Sequence, residues 1–449
     1  MSSRLAQTVI DVLSFSRQGD NPMDYFERFS EREWQRGLSW LDWGGVSLYF
    51  WRQVRQMGLQ SALPPGIRAR FEHRQAQNLG RTSAMVPEWK KIQDLFSSSG
   101  VRCVVLKGLA MIPDYCPDPS LRVQFDHDCL IDRDSLGRVE ELLRSAGYHR
   151  KKLRERDRVV YAPDVPASCG FSDSSSLFSA AIQRPVELHL ELWDAGEEKV
   201  RLQLPEDLMA RSTTRTWGGI AFAALSEEDA LLFEALHTFR HVVHNWCRLS
   251  VLFEIAHFLD RRRSDGPFWR QFCARIEDDF RLRRIADVVF ALAASLFRVS
   301  FPCPDIPSTY FGLTPELYLW VNRYGRKSAL GNFSTNKFSL FLLREFVEDQ
   351  ASWREVRRRR LFPVQIPHRL RTADEKRASA KLVASCRQGF RIIRRFWFHM
   401  RGALLYAWEY PRWRVLIRRE GETRVSALRT EAPHREAGRT SLSTAKSSL

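Results

Sequence analysis

The chain has 449 residues, 44% of them hydrophobic, enough for two or three domains or for one core with large helical additions. Its formal charge of +17 is local: residues 353–419 carry 19 Lys and Arg against 4 Asp and Glu, leaving only +2 for everything else. No secretory signal is expected in residues 1–20, no run of 18 apolar residues exists to span a membrane, and eight cysteines without a CxxC pair read as reduced thiols rather than as a zinc site or disulfide framework.

Taken in chain order, residues 1–100 read as helical, rich in aromatics from Trp34 to Trp51, with Pro64-Pro65-Gly66 marking a turn before a helical stretch from Ile67 to Phe96. The texture changes at Gly100. Residues 101–106 form a β-branched run that predicts a buried strand, and Phe125 to Ile131 alternates polar and apolar residues as a second. A helix follows on Leu136, Val139, Leu142, Leu143 and Ala146, with Asp134 as N-cap and Gly147 as its stop. Residues 158–162, 186–192 and 219–225 are further strand candidates, with Ser172 to Ser176 as a loop. Ser226-Glu-Glu-Asp229 is a capping-box pattern opening a long helical region, interrupted at Pro302, Pro304 and Pro307. The expected organisation is a helical N-terminal region (1–100), a small α/β or α+β core (101–225), a helical domain (226–348), a basic helical block (349–420) and a disordered tail (421–449).

The chemistry-bearing residues cluster in the core. Asp126 and Asp128 stand at i and i+2 of one predicted strand, so both carboxylates project from one face. On a later strand Glu187, His189 and Glu191 share a face, while Val186, Leu188, Leu190 and Leu192 fill the other. A carboxylate pair facing a third carboxylate is the donor set that divalent metals need for phosphoryl transfer, since Mg2+ takes hard oxygen ligands and completes its shell with substrate phosphates. Taken alone, Asp-x-Asp equally fits two solvated acids at a strand end.

Val105-Leu-Lys-Gly-Leu-Ala110, Tyr115-Cys-Pro-Asp-Pro119, Arg122 and Asp126-His-Asp128, then Gly147-Tyr148 and Val186-Glu-Leu-His189, together resemble an uncharacterised nucleotidyltransferase-like family of the DNA polymerase beta-type superfamily. The likeness runs from about residue 40 to about 300, and it implies an α+β fold with a small mixed-sheet core flanked by helices. The resemblance implies Asp126, Asp128 and Glu187 as catalytic and metal-binding residues holding two Mg2+ ions, with Mn2+ as the alternative. It implies Lys107, Gly108, Arg122 and His189 as substrate-binding residues around a nucleoside triphosphate. The implied reaction moves a nucleoside monophosphate to an acceptor hydroxyl on a metabolite, a protein or an RNA, with release of pyrophosphate. Leu109 after Gly108, the long gap from Gly108 to Asp126, His127 between the acids and Glu254 depart from the wider superfamily, so a catalytically inactive scaffold is the alternative.

Two other features ask for a reading. His237, His241 and His244 share a helix face, but no HExxH motif or suitably spaced cysteine accompanies them, so packing or hydrogen bonding is expected rather than zinc. In the basic block, Trp353 to Arg360 and Arg391 to Phe398 interleave arginines with aromatics. That pattern fits a helical subdomain with a solvated face, an anionic membrane surface, or RNA. The expected location is cytoplasmic, peripheral at a membrane if the block works there.

Overall fold

The computed structural model describes residues 3–16, 26, 28–151, 157–163, 174–179, 183–301, 311–331, 336–362 and 378–440, with side chains of the last helix described over 382–420. Cys169, Ser172 and Asp173, the proline cluster with Cys303, and residues 441–449 lie outside the described residues. Of the tail expected from 421, only the helical backbone to Thr440 is described.

Among the described residues, four helices open the chain: α1 (Ser3–Leu13), α2 (Glu31–Gly44), α3 (Ser47–Gln56) and α4 (Pro65–Ser97). A reciprocal capping box of Ser30 and Glu33 starts α2, and Gly45, at φ +73°, ends it in the left-handed conformation that a glycine adopts without strain. Pro65 stands at the first position of α4, where a missing N–H costs nothing.

Among the described residues, seven strands then form one sheet, in the order β3-β4-β5-β2-β1-β7-β6. They are β1 (Cys103–Val105), β2 (His127–Ile131), β3 (Tyr148–Arg150), β4 (Arg158–Pro163), β5 (Val186–His189), β6 (Thr213–Trp217) and β7 (Ile220–Ala224). β2 runs antiparallel to β1 and parallel to β5, so the sheet is mixed, as expected. The edge strands β3 and β6 are the two that alternation does not reveal, because their residues are mostly polar or exposed. Between β2 and β3 lies α5 (Leu136–Ser145), which buries Val139 and Leu143. A short 3-10 turn, Arg133–Ser135, precedes it, so Ser135 and not Asp134 holds the cap position, with no side-chain cap bond.

The remaining long helices are α6 (Glu227–Val243), α7 (Leu249–Arg261), α8 (Gly266–Arg275), α9 (Phe280–Phe297), α10 (Gln350–Leu361) and α11 (Ala378–Thr440). Ser226 caps α6 as its pattern predicts, accepting from the Asp229 N–H at 3.3 Å. The sheet is buried on both faces. One face, with Val105, Cys129, Ile131, Val186 and Leu188, packs on Met85, Trp89 and Phe96 of α4 and on α5. Val104, Leu106 and Leu130 join a larger core shared by α1, α3 and α6 to α9. The candidate acids lie between the sheet and α6.

Candidate metal and nucleotide site

Parallel pairing of β2 with β5 sets Asp128 beside Glu187 and Leu130 beside His189. Because alternate residues share a face, Glu187 and His189 point the same way, and one ligand atom from each of Asp128, Glu187 and His189 lies within 4.8 Å of the other two. The His189 Nε2 is 3.3 Å from Asp128 Oδ1 and 3.2 Å from Glu187 Oε1. Asp128 is only 2% exposed and Glu187 only 7%, so charges here interact far more strongly than they would in water.

Three basic groups face these acids. Lys107 Nζ stands 2.9 Å from Asp128 Oδ1, and Arg158 of β4 ion-pairs with Glu187. Burial pushes the Asp128 carboxyl up, but the Lys107 charge and the His189 hydrogen bond outweigh it and hold the group well below the carboxylate range. For Glu187, burial is likewise overcome by His189 and Lys107, bringing it down to about 2. Burial alone would lower His189, yet its hydrogen bonds to Asp128 and Glu187 raise it. Asp126 sits one residue ahead of β2, half-buried. Burial and the neighbouring Asp128 charge push its carboxyl up to about 7 against the pull of Lys107. The three acids thus form one electrostatic unit.

The turn after β1 delivers Lys107. Leu106 N–H donates to the Asp128 carbonyl at 3.0 Å, after which the chain turns at Gly108 with φ +69°. A Cβ there would stand 2.1 Å from the Gln124 Nε2, so any other residue would be strained by the positive φ and would have to displace the Gln124 amide. Phe233 of α6 closes the other side, 5.9 Å from Lys107 Nζ and edge-on to His189 at 5.9 Å.

Arg122 stands apart from the aspartates: its Nε lies 3.1 Å from Glu254 Oε1 of α7, which also accepts from Tyr49 OH at 2.9 Å. His127 faces the opposite side of the sheet, 3.3 Å from Glu88 Oε2 and against Trp89. Glu191, expected to continue the acid face of β5, lies past the strand end. There the Asp157 carbonyl accepts from Leu190 and Glu191 N–H, and the exposed Glu191 side chain pairs with Arg133 at 2.5 Å. His237 of α6 stacks on Phe233 at 6.0 Å, within electrostatic reach of Lys107 and His189. His241 Nδ1 donates to the Trp246 carbonyl at 2.8 Å, and His244 Nε2 lies 2.7 Å from Glu198.

Two residues that motif reading passes over stand close by. Glu234 of α6 is buried, and burial pushes its carboxyl up to about 8 even with Lys107 near. Its signal in the sequence is an acid at core spacing with Leu231 and Thr238. Arg248, at the start of α7, places its half-buried guanidinium 4.9 Å from the centre of the Phe125 ring and makes no ion pair among the described residues.

A family model described as an uncharacterised nucleotidyltransferase matches residues 30–298, more than half of the chain. The chain belongs to that family. No curated protein and no solved structure matches it. The nucleotidyltransferase span contains all seven strands and α2 to α9, hence every residue of the site just described, whereas α10 and α11 lie outside it. No helix among the described residues is long and apolar enough to cross a membrane.

Proposed function

We propose that this chain transfers a nucleoside monophosphate from a nucleoside triphosphate to an acceptor hydroxyl on a metabolite, a protein or an RNA, releasing pyrophosphate. One observation carries this reading: in a chain of nucleotidyltransferase family, Asp128, Glu187 and His189 converge within 4.8 Å on adjacent strands, with Asp126 alongside.

The donor set fits a divalent cation. Asp126, Asp128 and Glu187 offer the hard oxygens that Mg2+ or Mn2+ takes, and two ions would be shared among them. His189 suits Mn2+ directly or orients the carboxylates, and its Nδ1 is buried without a partner among the described residues. When bound, the ions supply positive charge against the triphosphate and the developing charge of the displacement.

The chain's own groups do the rest. Lys107 would face the β- and γ-phosphates, with Arg122 and Arg248 behind it. Gly108 lets the backbone approach the phosphates without a side chain in the way. Glu187 would stand nearest the acceptor hydroxyl and help it lose its proton as the hydroxyl oxygen attacks the α-phosphorus. The bond from that phosphorus to the bridging oxygen breaks, and pyrophosphate leaves with the electron pair. The test is pyrophosphate release or acceptor labelling from radiolabelled triphosphate with magnesium present. Asp126→Asn with Asp128→Asn should abolish it while circular dichroism stays unchanged; wild-type activity in that double variant would refute this chemistry.

A second reading has its own observation. Lys107, Arg158 and His189 already pair with Asp128 and Glu187, so the acids are neutralised internally, as they would be in a non-catalytic scaffold. Calorimetry separates the two. Magnesium-dependent binding of triphosphate supports the enzyme, and no binding at millimolar nucleotide supports the scaffold.

A further inference from the structure

The basic block divides into two physically different halves. In α10, Trp353 and Val356 are buried, while Arg359 and Arg360 pair with Glu197 and Glu198. This half of the Arg-aromatic pattern is absorbed by packing. The other half is not.

In α11 the body-facing residues are Gly402, Tyr406, Glu409 and Trp413. Tyr406 and Trp413 stack on Phe341 at 5.0 and 5.1 Å, and Glu409 accepts from Arg323 at 2.7 Å and from Tyr324 OH at 2.8 Å. Two residues along an α-helix is a rotation of about 200°. Leu404, Trp408, Pro411 and Val415, each two residues on from a body-facing one, therefore point away from the protein. Stepping back from Leu404 by seven residues, or two turns, and then by four, three, four and four continues this line through Trp397, Ile393, Phe390, Cys386 and Leu382. Leu382, Phe390, Trp397, Leu404 and Trp408 are 62–67% exposed. The stripe from 382 to 415 is about 50 Å long at 1.5 Å per residue.

Arg387, Arg394 and Arg401 form a row beside the stripe, and none of them makes an ion pair with a carboxylate among the described residues. The acids on α11 between 382 and 420 are Glu409, which is turned inward, and Glu420 at the far end. A second copy of the helix would set arginines against arginines with no acid to offset them, which disfavours self-pairing. Leu, Ile and Val give nucleobases no ring to stack on, whereas aliphatic and aromatic residues flanked by arginines suit acyl chains beneath anionic headgroups.

We propose that the outward face of α11 docks the protein on an anionic lipid membrane, with Leu382, Phe390, Ile393, Trp397, Leu404 and Trp408 in the headgroup–acyl boundary and Arg387, Arg394 and Arg401 on lipid phosphates. The helix lies in the surface and does not span it. The test is flotation of the full chain with vesicles of phosphatidylcholine alone and of phosphatidylcholine mixed with phosphatidylserine. Wild type should float with the mixed vesicles only, with a blue shift in tryptophan emission. Replacing Arg387, Arg394 and Arg401 by Gln should weaken binding about a hundredfold, at roughly a factor of five per arginine near the surface. Replacing Phe390, Trp397 and Trp408 by Ser should remove the flotation. All of these side chains are exposed, so both variants should keep the wild-type circular dichroism and melting temperature. Three results would overturn the proposal: no flotation of wild type with either vesicle; flotation that both variants retain; or a lipid-free dimer or tight single-stranded RNA complex, lost in the variants, from a protein that ignores vesicles.

Discussion

Replacing Lys107 by Met tests the electrostatic centre of the site without reference to catalysis. The Lys107 side chain is 8% exposed and Asp128 2%, with 2.9 Å between Nζ and Oδ1. Met keeps most of the apolar stem and its contact with Phe233 but leaves Asp128 buried without its principal cation. Removing one partner of a buried ion pair costs about 3–5 kcal/mol, because the other charge stays desolvated. His189 still hydrogen-bonds Asp128, which places the expected loss at the lower end, about 3 kcal/mol. Urea unfolding at neutral pH reads this directly. With a slope of about 3 kcal/mol/M, the midpoint should fall by about 1 M and the slope should stay the same. Asp128→Asn added to Lys107→Met removes the orphaned charge and should recover most of the loss, so the two changes couple strongly in a double-mutant cycle. Magnesium should stabilise Lys107→Met more than wild type, since no lysine then competes for the carboxylate. A Lys107→Met protein within about 0.5 kcal/mol of wild type, where unremarkable surface changes fall, would refute the reasoning. So would a second cost from Asp128→Asn where rescue is expected.

Two further outcomes follow from groups around the site. Glu198 is 1% exposed, and although burial raises its carboxyl, His244, Arg360 and Arg240 bring it down to about 2 from 4.5. A depressed carboxylate stabilises the fold above its unfolded value and loses that contribution as pH falls through the folded one. About 3 kcal/mol should therefore disappear between about pH 5 and pH 2. Urea midpoints across that range should fall less steeply in Glu198→Gln, and an unchanged slope would show that Glu198 is not the group responsible. Gly108→Ala should destabilise by more than about 1 kcal/mol and lower triphosphate affinity, because the alanine meets both the positive φ and the Gln124 side chain. Gln124→Ala in the same protein should relieve only the contact, and a melting temperature equal to wild type in Gly108→Ala alone would contradict the turn geometry.

The parts of the site legible in the sequence are those that local periodicity encodes. The spacing of Asp126 from Asp128 and of Glu187 from His189 announces shared faces, and the structure brings the four residues together. Glu191 shows where that logic stops: β5 ends at His189 because the carbonyl of Asp157, far off in sequence, captures the next two N–H groups. Arg122 carries no spacing signal for its pairing with Glu254, which is set by the packing of α7 against α3. Glu234 and Arg248 belong to helices whose placement over the sheet is tertiary, so their nearness to Lys107 and Asp126 has no short-range signature. The basic block shows the same limit from the other side. Its composition is uniform, but only the helix fold separates arginines that close ion pairs with Glu197 and Glu198 from those left facing outward.

The register of β2 against β5 is where stability and chemistry become one constraint. Side chains alternate along a strand, so a slip of one residue would turn Glu187 and His189 into the hydrophobic layer under α4 and α5 and bring Leu188 beside Lys107. What forbids the slip is Cys129, Ile131, Val186 and Leu188, all buried on the face opposite the acids. Burying the mismatched charges would cost several kcal/mol each, far more than the ladder hydrogen bonds could offset. The apolar residues between the acids therefore fix where the carboxylates stand. Substitutions that loosen that layer should blur the site even though they touch none of its ligands.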